Sequence, residues 1–326
     1  MTLPAELEHA IAHELASIDA RSLAAAAGRL IERYKRGEFS IALSDPADHA
    51  AYLATRFPAT YAASCKAFGY VQERLRDQRL ASLLDLGAGA GAAMWAAAET
   101  FTFEKITCVE HNRAFAAVGQ RLAATSGKDV VRAASWLSGD IRQVQDLPAH
   151  DAIVLSYVLG EVSEPQVEPI IRAAWAKAAS LLVVIGPGTP EGFRRVHGVR
   201  ALLLESGAHI IAPCPHDQAC PMLATGDWCH FAARLDRTAV HRRLKSGSLG
   251  YEDEKFSYIA ASKRPIPPPA SRVLRHPLIR SGHMRLTLCG AGQPEQRIVA
   301  KSDKSLWRYA RRLQWGDAWQ PVSDRD

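Results

Sequence analysis

Residues 81–91, Ala-Ser-Leu-Leu-Asp-Leu-Gly-Ala-Gly-Ala-Gly, constrain this chain more than any other stretch. Leu83, Leu84, Asp85 and Leu86 read as a short apolar strand. Gly87, Gly89 and Gly91 read as a tight turn, and the run from Ala92 to Ala98 reads as a helix. A turn without Cβ atoms lets the backbone come close to a ligand. The helix N-terminus behind it presents unpaired N–H groups. Strand, glycine turn and helix together predict a nucleotide-like ligand.

The residues around the turn decide which nucleotide. Gly87, Gly89 and Ala92 satisfy the G-x-G-x-x-G/A pattern of dinucleotide sites. Asp85, however, stands just before the first glycine, where a carboxylate repels a pyrophosphate and suits a ligand carrying an ammonium group. The methionine end of S-adenosylmethionine is such a group. Glu110 closes the next apolar strand, Ile106 to Val109, at the place where an acid holds a ribose diol. The pattern resembles the class I methyltransferases. A dinucleotide fold and a glycine turn without a ligand are the competing readings.

The rest of the chain supports an α/β fold. Strands are predicted at 82–86, 105–109, 129–132, 151–156 and 180–185. Helices are predicted around 91–100, 112–125, 165–178 and 190–206. This alternation implies a Rossmann-like parallel sheet with right-handed crossovers. Four regions follow: an N-terminal helical region (1–76), an adenosylmethionine-binding domain (77–210), a cysteine-rich loop with a late strand of the main sheet (211–264), and a basic C-terminal β unit with a helix (265–326).

In the helical region, Leu7, Ile11, Leu15 and Ile18 share one helix face. Ser22 is expected to open a second helix that stops at Gly37. Asp45 and Pro46 form a helix start. Pro58 is expected to interrupt that helix, with another running from near Thr60 to Arg76. Arg56 and Tyr61, in the interrupted stretch, are expected to be structural rather than substrate-facing. The first residues have early acids and no basic-then-apolar layout, unlike a secretory or transit segment. No apolar run approaches the length of a membrane span. The expected setting is soluble and intracellular: cytoplasmic in a bacterium, or the mitochondrial matrix in a eukaryote.

The class I resemblance extends the candidate site. It implies that Asp140, in the loop Ser138-Gly139-Asp140, holds the adenine amino group, although Asp140 also suits the cap of a turn. Ser156 ends the fourth strand and Tyr157 follows it, where ligands of such sheets sit. An Asn/Asp-Pro-Pro-Tyr/Phe loop is missing there, as is a Pro-Cys nucleophile. No catalytic base or nucleophile is identified, and whether the chain is an enzyme is left open.

Past the fifth strand come Cys214, Cys220 and Cys229, in a stretch broken by proline and glycine, and far downstream Cys289. Cys65 and Cys108 lie in apolar contexts and read as small core residues. Four cysteines converging from irregular chain suit a metal, which supplies folding energy such a loop lacks. No C-x₂-C knuckle favours zinc, and the open spacing suits an iron–sulfur cube on four thiolates. Zinc and free thiols are the alternatives, and His216 or His230 could stand in for one thiolate.

The Asp-Leu-Gly-Ala-Gly-Ala-Gly turn, the Cys-Pro-His…Cys-Pro…Trp-Cys-His-Phe loop, Phe256-Ser257-Tyr258 and Leu313-Gln314-Trp315-Gly316-Asp317 occur together. This set resembles the methyltransferase-like family associated with the mitochondrial small ribosomal subunit, over about Tyr52 to Trp319. The resemblance implies a class I methyltransferase fold and a [4Fe–4S] cluster on Cys214, Cys220, Cys229 and Cys289. It also implies a role in small-subunit maturation on 16S-type ribosomal RNA, with or without turnover. A monomer is expected.

Charge agrees with a polyanion partner. From Phe231 onward, 19 Lys and Arg face 9 Asp and Glu, a balance of +10, against −4 over the rest. Arg234, Arg237, His241, Arg242, Arg243 and Lys245 make one basic stretch. A second surface is expected from Arg272, Arg275, Arg280, Arg285, Lys301, Lys304, Arg308, Arg311 and Arg312. Trp307, Tyr309, Trp315 and Trp319 lie among the latter, placed either to stack on bases or to pack the last helix.

Overall fold

The computed structural model describes residues 1–36, 45–75, 78–245 and 248–321. Gly37 and Arg76, expected as helix ends, lie outside the described residues. Four helices come first: α1 (Ala5–Ala16), α2 (Ala20–Lys35), α3 (Pro46–Thr55) and α4 (Phe57–Leu75). Asp19, not Ser22, opens α2: its carboxylate accepts from the backbone N–H of Arg21 and Ser22 at 3.1 and 2.9 Å. Asp45 caps α3 as expected, with Pro46 in the first turn. Pro58 does not interrupt a helix. It sits in the first turn of α4, where its missing N–H leaves no bond unmade, so α4 starts at Phe57. Most of α4 is buried, against the helix after the glycine turn and against the late strands.

The alternating region runs β1 (Ser82–Leu86), α5 (Ala92–Thr100), β2 (Lys105–Glu110), α6 (Arg113–Ala123), α7 (Asp129–Arg132), β3 (Ser135–Ser138), β4 (His150–Ser156), α8 (Glu164–Lys177), β5 (Ala178–Pro187) and α9 (Pro190–Glu205). Residues 129–132, expected as the third strand, form the single helical turn α7. The β-branched pair Val130-Val131 suggests a strand, but Val131 is used to fill the core from a turn that Lys128 opens. The third strand lies just beyond, pairing from Thr107↔Ser135 to Glu110↔Ser138.

Then come β6 (His209–Ala212), β7 (Phe231–Asp236), α10 (Ala239–Leu244) and β8 (Tyr251–Ser262). The main sheet has the order β3-β2-β1-β4-β5-β8-β6, with β7 also pairing β8. The first five strands are parallel, whereas β8 runs antiparallel to β5, β6 and β7. The sheet is therefore mixed rather than parallel. The reason is that β8 returns from β7 through a short α10 connection, and no long crossover intervenes to restore its direction. This insertion also departs from the all-parallel 3-2-1-4-5-6 dinucleotide order. Both faces of the sheet are covered: Leu83, Val154 and Val183 belong to one apolar cluster, and Leu84, Ile153, Leu155 and Leu182 to the other. Strand order reverses between β1 and β4, so a crevice opens beyond their carboxyl ends.

Five short strands complete the chain: β9 (Ser271–Val273), β10 (Leu278–Ile279), β11 (His283–Cys289), β12 (Glu295–Ala300) and β13 (Ala318–Trp319), with α11 (Lys304–Ala310) before the last. They form a second sheet in the order β10-β11-β9-β13, with β12 on β11. Its own core holds Met284, Leu286, Leu288, Val299 and Trp319. Tyr70 of α4 fastens this unit to the main one, donating to the Trp315 carbonyl at 2.8 Å. Among the described residues no helix is long and apolar enough to cross a membrane.

Candidate functional site

The crevice is a cleft of about 480 Å³. Asp85, Gly87, Gly89, Glu110, Asp140, Ser156 and Tyr157 all line it. The sequence had placed these seven residues in four separate loops, and the sheet brings their loops to one end. Gly91 does not line the cleft. It caps α5, and its left-handed backbone (φ +89°) turns the chain into the helix.

Each lining residue has a definite local reason for its place. Gly87 has φ +72°, and a Cβ there would stand 2.3 Å from Val158 Cγ2, so the turn and the loop after β4 meet only across a glycine. Glu110 is buried at the end of β2 and straps the turn: its carboxylate accepts from Gly89 N–H and from Asn112 N–H, both at 2.8 Å. Asp85 is fully buried. One oxygen accepts from Met94 N–H at 3.0 Å, and Oδ1 has no partner. Burial, with the nearby Glu110 adding to it, pushes this carboxyl up to about 7 despite the Met94 bond. A buried, half-satisfied carboxyl lining a cleft is a group waiting for a donor.

Asp140 takes up both readings the sequence allowed. It lines the cleft, yet it also caps a 3₁₀ turn through Arg142 N–H at 2.8 Å and pairs with the Arg142 guanidinium. The Arg142 guanidinium bond, more than the backbone one, holds its carboxyl below the usual range. Ser156 Oγ lies 3.3 Å from Ser64 Oγ of α4. Tyr157 adopts φ +63° and donates its hydroxyl to Glu254 Oε1 at 3.1 Å. Glu254, on β8, pairs with Arg56 at 3.0 Å, in a bridge whose side chains are 14% and 11% exposed. Arg56 is structural, as expected, and Tyr61 is buried and does not line the cleft.

Sequence reasoning expects the N-terminal helices to cover the ligand but does not single out the residues that make the roof. Tyr34 of α2, Tyr52 of α3 and Thr60 of α4 line the cleft from the N-terminal helices. Aromatic and hydroxyl side chains on helices carry no local mark of a ligand site. Only their recurrence opposite the glycine turn, which depends on the fold, reveals them. Glu161 and Gln166, beyond β4, were missed for the same reason.

The cysteines occupy a different place. Cys214 follows β6, Cys220 opens a 3₁₀ turn (Pro221–Ala224), Cys229 precedes β7, and Cys289 ends β11 in the second sheet. All four line one small cavity of about 40 Å³, walled by Phe193, Arg200, Met222, Tyr258, Arg272 and Leu274 among others. All are free of disulfides. Burial raises the Cys214 and Cys229 thiols and pushes Cys289 up to about 12, with the neighbouring cysteines adding to it in each case. Among the described residues no three His, Cys, Asp or Glu side chains are grouped so as to hold a metal ion as they stand. The donor chemistry nevertheless fits: four sulfurs face one cavity that no carboxylate lines.

The expected basic stretch after the cysteine loop is largely neutralised. The β7–β8 hairpin sets Arg234 opposite Asp253, and the two pair at 2.7 Å. Glu252 gathers Arg237, His241 and Lys245. In the second surface Arg272 is buried and Arg275 pairs with Asp227, while Arg280, Arg285, Lys301, Lys304, Arg308, Arg311 and Arg312 are exposed. Trp315 and Trp319 are buried in packing rather than held out for bases.

The family described as mitochondrial small ribosomal subunit Rsm22 matches residues 46–320. The human protein named "Ribosome assembly protein METTL17, mitochondrial" is 26% identical over 287 residues, 82% of this chain and 61% of that protein. A fission-yeast protein, "Rsm22-cox11 tandem protein 2, mitochondrial", from Schizosaccharomyces pombe, is 28% identical over 207 residues, 48% of this chain and 27% of its own length. The chain thus spans about three fifths and about a quarter of these relatives. Among solved structures, a putative RNA methyltransferase from Pyrococcus horikoshii is similar at a TM-score of 0.40 and 15% identity. That likeness covers 69% of this chain and 89% of the other.

Proposed function

We propose, given that the chain belongs to the mitochondrial small ribosomal subunit Rsm22 family, that it is an adenosylmethionine-binding, methyltransferase-like protein of small-subunit assembly. The observation that carries the ligand is Asp85 Oδ1, a fully buried acceptor without a partner beside the glycine turn. An α-ammonium group supplies the missing donor and the opposite charge. Glu110, already fixed by two backbone N–H groups, is placed for a ribose diol, and Asp140 for the adenine edge. The roof of Tyr34, Tyr52 and Thr60 would shield the bound ligand from water.

The reading is of binding, with turnover a separate question. Tyr157 and Ser156, the hydroxyls nearest the expected donor end, are tied to Glu254 and Ser64. That engagement favours the second reading, an assembly factor that binds the cofactor or its product without transferring a methyl group. For the cysteine cavity we propose a metal centre on Cys214, Cys220, Cys229 and Cys289. A single zinc would draw four sulfurs to within about 4 Å of one another, given Zn–S bonds of about 2.3 Å. A [4Fe–4S] cube carries each thiolate on its own iron and asks less convergence of them. Such a centre would serve as a structural clamp between the two sheets.

The partner we propose is ribosomal RNA, met by the exposed cations of the second sheet and α11, with the protein acting as a monomer. The names of the matched relatives support assembly and a mitochondrial setting. A bacterial cytoplasmic setting has no support among them. Equilibrium dialysis with labelled S-adenosylmethionine tests the cleft. Saturable one-to-one binding that Asp85→Asn weakens sustains the reading, and no binding at millimolar ligand ends it. Binding of small-subunit RNA that weakens steeply with salt is expected, and salt-insensitive or absent binding would remove the RNA partner.

A further inference from the structure

The cysteine cavity holds a second set of groups that its sulfur chemistry alone does not explain. Arg200 of α9 and Arg272 of β9 both line it, and they are 5% and 1% exposed. Among the described residues neither guanidinium forms an ion pair. Arg200 Nη2 donates to the carbonyls of His216 and Gln218 at 2.9 and 2.7 Å, and Arg272 donates to those of Pro213 and Gly316 at 2.8 and 2.9 Å. Arg200 Nε and Arg272 Nη2 are left without partners, and so is the hydroxyl of Tyr258, which lines the same cavity. Glu73, the acid that feels the Arg272 charge, stands beyond pairing distance. Burying an unpaired charge is expensive. Two buried cations, their idle N–H groups, the Tyr258 hydroxyl and the unpartnered His216 ring around four cysteine sulfurs therefore describe a cavity built for an electron-rich, negatively charged occupant.

We infer that Arg200 and Arg272 are the counter-charges of an anionic four-thiolate centre, with Tyr258 as an additional donor to its sulfurs. The inference rests on the metal reading of the cysteine cavity and goes beyond it. Four thiolates on a doubly positive core leave a net charge of about −2, which two guanidinium groups balance. The same arginines grip the carbonyls of residues 213, 216 and 218, so one side chain shapes the cysteine loop and neutralises what the loop holds. Neutral thiols would leave the Arg200 charge without a counter-charge and Arg272 with only the face of Tyr70, 5.6 Å away.

The test uses the full-length protein purified without oxygen, with Arg200→Gln and Arg272→Gln as charge-removing variants and Arg200→Lys and Arg272→Lys as charge-keeping ones. Metal content, the rate of metal loss to a chelator, and thermal stability before and after chelation are read for each. Removing either charge is expected to speed metal loss roughly tenfold or more, with Lys recovering most of it. In the metal-free protein the Gln variants are expected to be no less stable than wild type, because an unpaired buried charge has gone. An arginine that only anchors the loop gives the opposite pattern. The Gln variants are then destabilised equally with and without metal, metal loss keeps its wild-type rate, and the inference is overturned. If a Gln variant fails to fold, the Lys variant decides: unchanged retention sustains the charge argument, and loss equal to that of a fully metal-free protein overturns it. A wild-type protein that carries no metal overturns the metal reading and this inference together, whereas a loaded wild type with indifferent variants overturns this inference alone.

Discussion

The glycine cleft and the cysteine cavity are opposites in how the chain builds them. The cleft draws its floor from one short stretch, Asp85, Gly87 to Ala90 and Ala92 to Ala93, and adds acids at or beyond the ends of the next strands. It is open, rich in carboxylates, and short of cations apart from Arg142. The cavity draws its walls from α9, from the stretch between β6 and β7, from β8 and from the second sheet. It is small, with cations facing sulfur. The first is a place where a ligand can come and go. The second is a joint, where an occupant would hold two sheets together.

Cys229→Ser should produce the largest effect, because metal binding at a structural site is worth on the order of 10 kcal/mol. The expected outcome is loss of bound metal, a large drop in Tm, and new proteolytic cleavage in the Pro-rich segment 265–269, with the cleft's ligand affinity affected less. Equal loss at both sites would erase the distinction between joint and cleft. Next comes Arg56→Ala, which strands Glu254 in a largely buried position. Chemical denaturation should show a loss of about 3–5 kcal/mol, and a loss under 1 kcal/mol would mean the bridge is solvated.

Asp85→Asn separates the two regions more finely. Ligand affinity should fall about 10- to 100-fold as a charged hydrogen bond is lost, while metal content stays at the wild-type value. A change in metal content would mean the regions are coupled. Gly87→Ala should cost about 1–3 kcal/mol from its positive φ and the overlap with Val158. Adding Val158→Ala should recover the part due to overlap, and no recovery would assign the whole loss to backbone strain.

The smallest effect is in pH. The Asp85 carboxyl titrates near 7 in the folded chain against an ordinary 3.8. Between about pH 4 and 7 the native state therefore keeps a proton that the unfolded chain has released, and the ligand-free protein loses stability as pH rises through that window. An ammonium ligand needs the carboxylate, so its affinity should climb over the same window and level off above 7. Calorimetric titration at pH 6 and 8 checks the sign, and a flat profile would remove Asp85 as the ammonium partner.

Much of the cleft was legible because its signals are local. A strand running into alternating glycines marks positive φ, and an acid at the end of the next strand needs only the βαβ repeat to be placed. The antiparallel course of β8 was not legible, since Phe256 to Ala261 reads as a strand in either direction. Val130-Val131 misled because β-branched residues fill a core from a helical turn as well as from a strand. The Arg56–Glu254–Tyr157 link spans almost 200 residues, and no spacing rule reaches that far. The basic stretch was read as free because the register that sets Arg234 on Asp253 belongs to the hairpin and not to the composition.

Cys289 has a consequence in time. Cys214, Cys220 and Cys229 leave the ribosome with the main unit, while the wall made by Arg272, Leu274 and Cys289 is synthesised later. Until that segment emerges, three thiols stand at an unfinished joint, reachable by oxidants and stray metals. Chains stalled at residue 264 should therefore react quickly with an alkylating reagent at those three cysteines, and chains that carry the second sheet should react more slowly, since the three thiols stay partly exposed there. The second sheet supplies a wall of the cavity only after the residues of the main unit have been made.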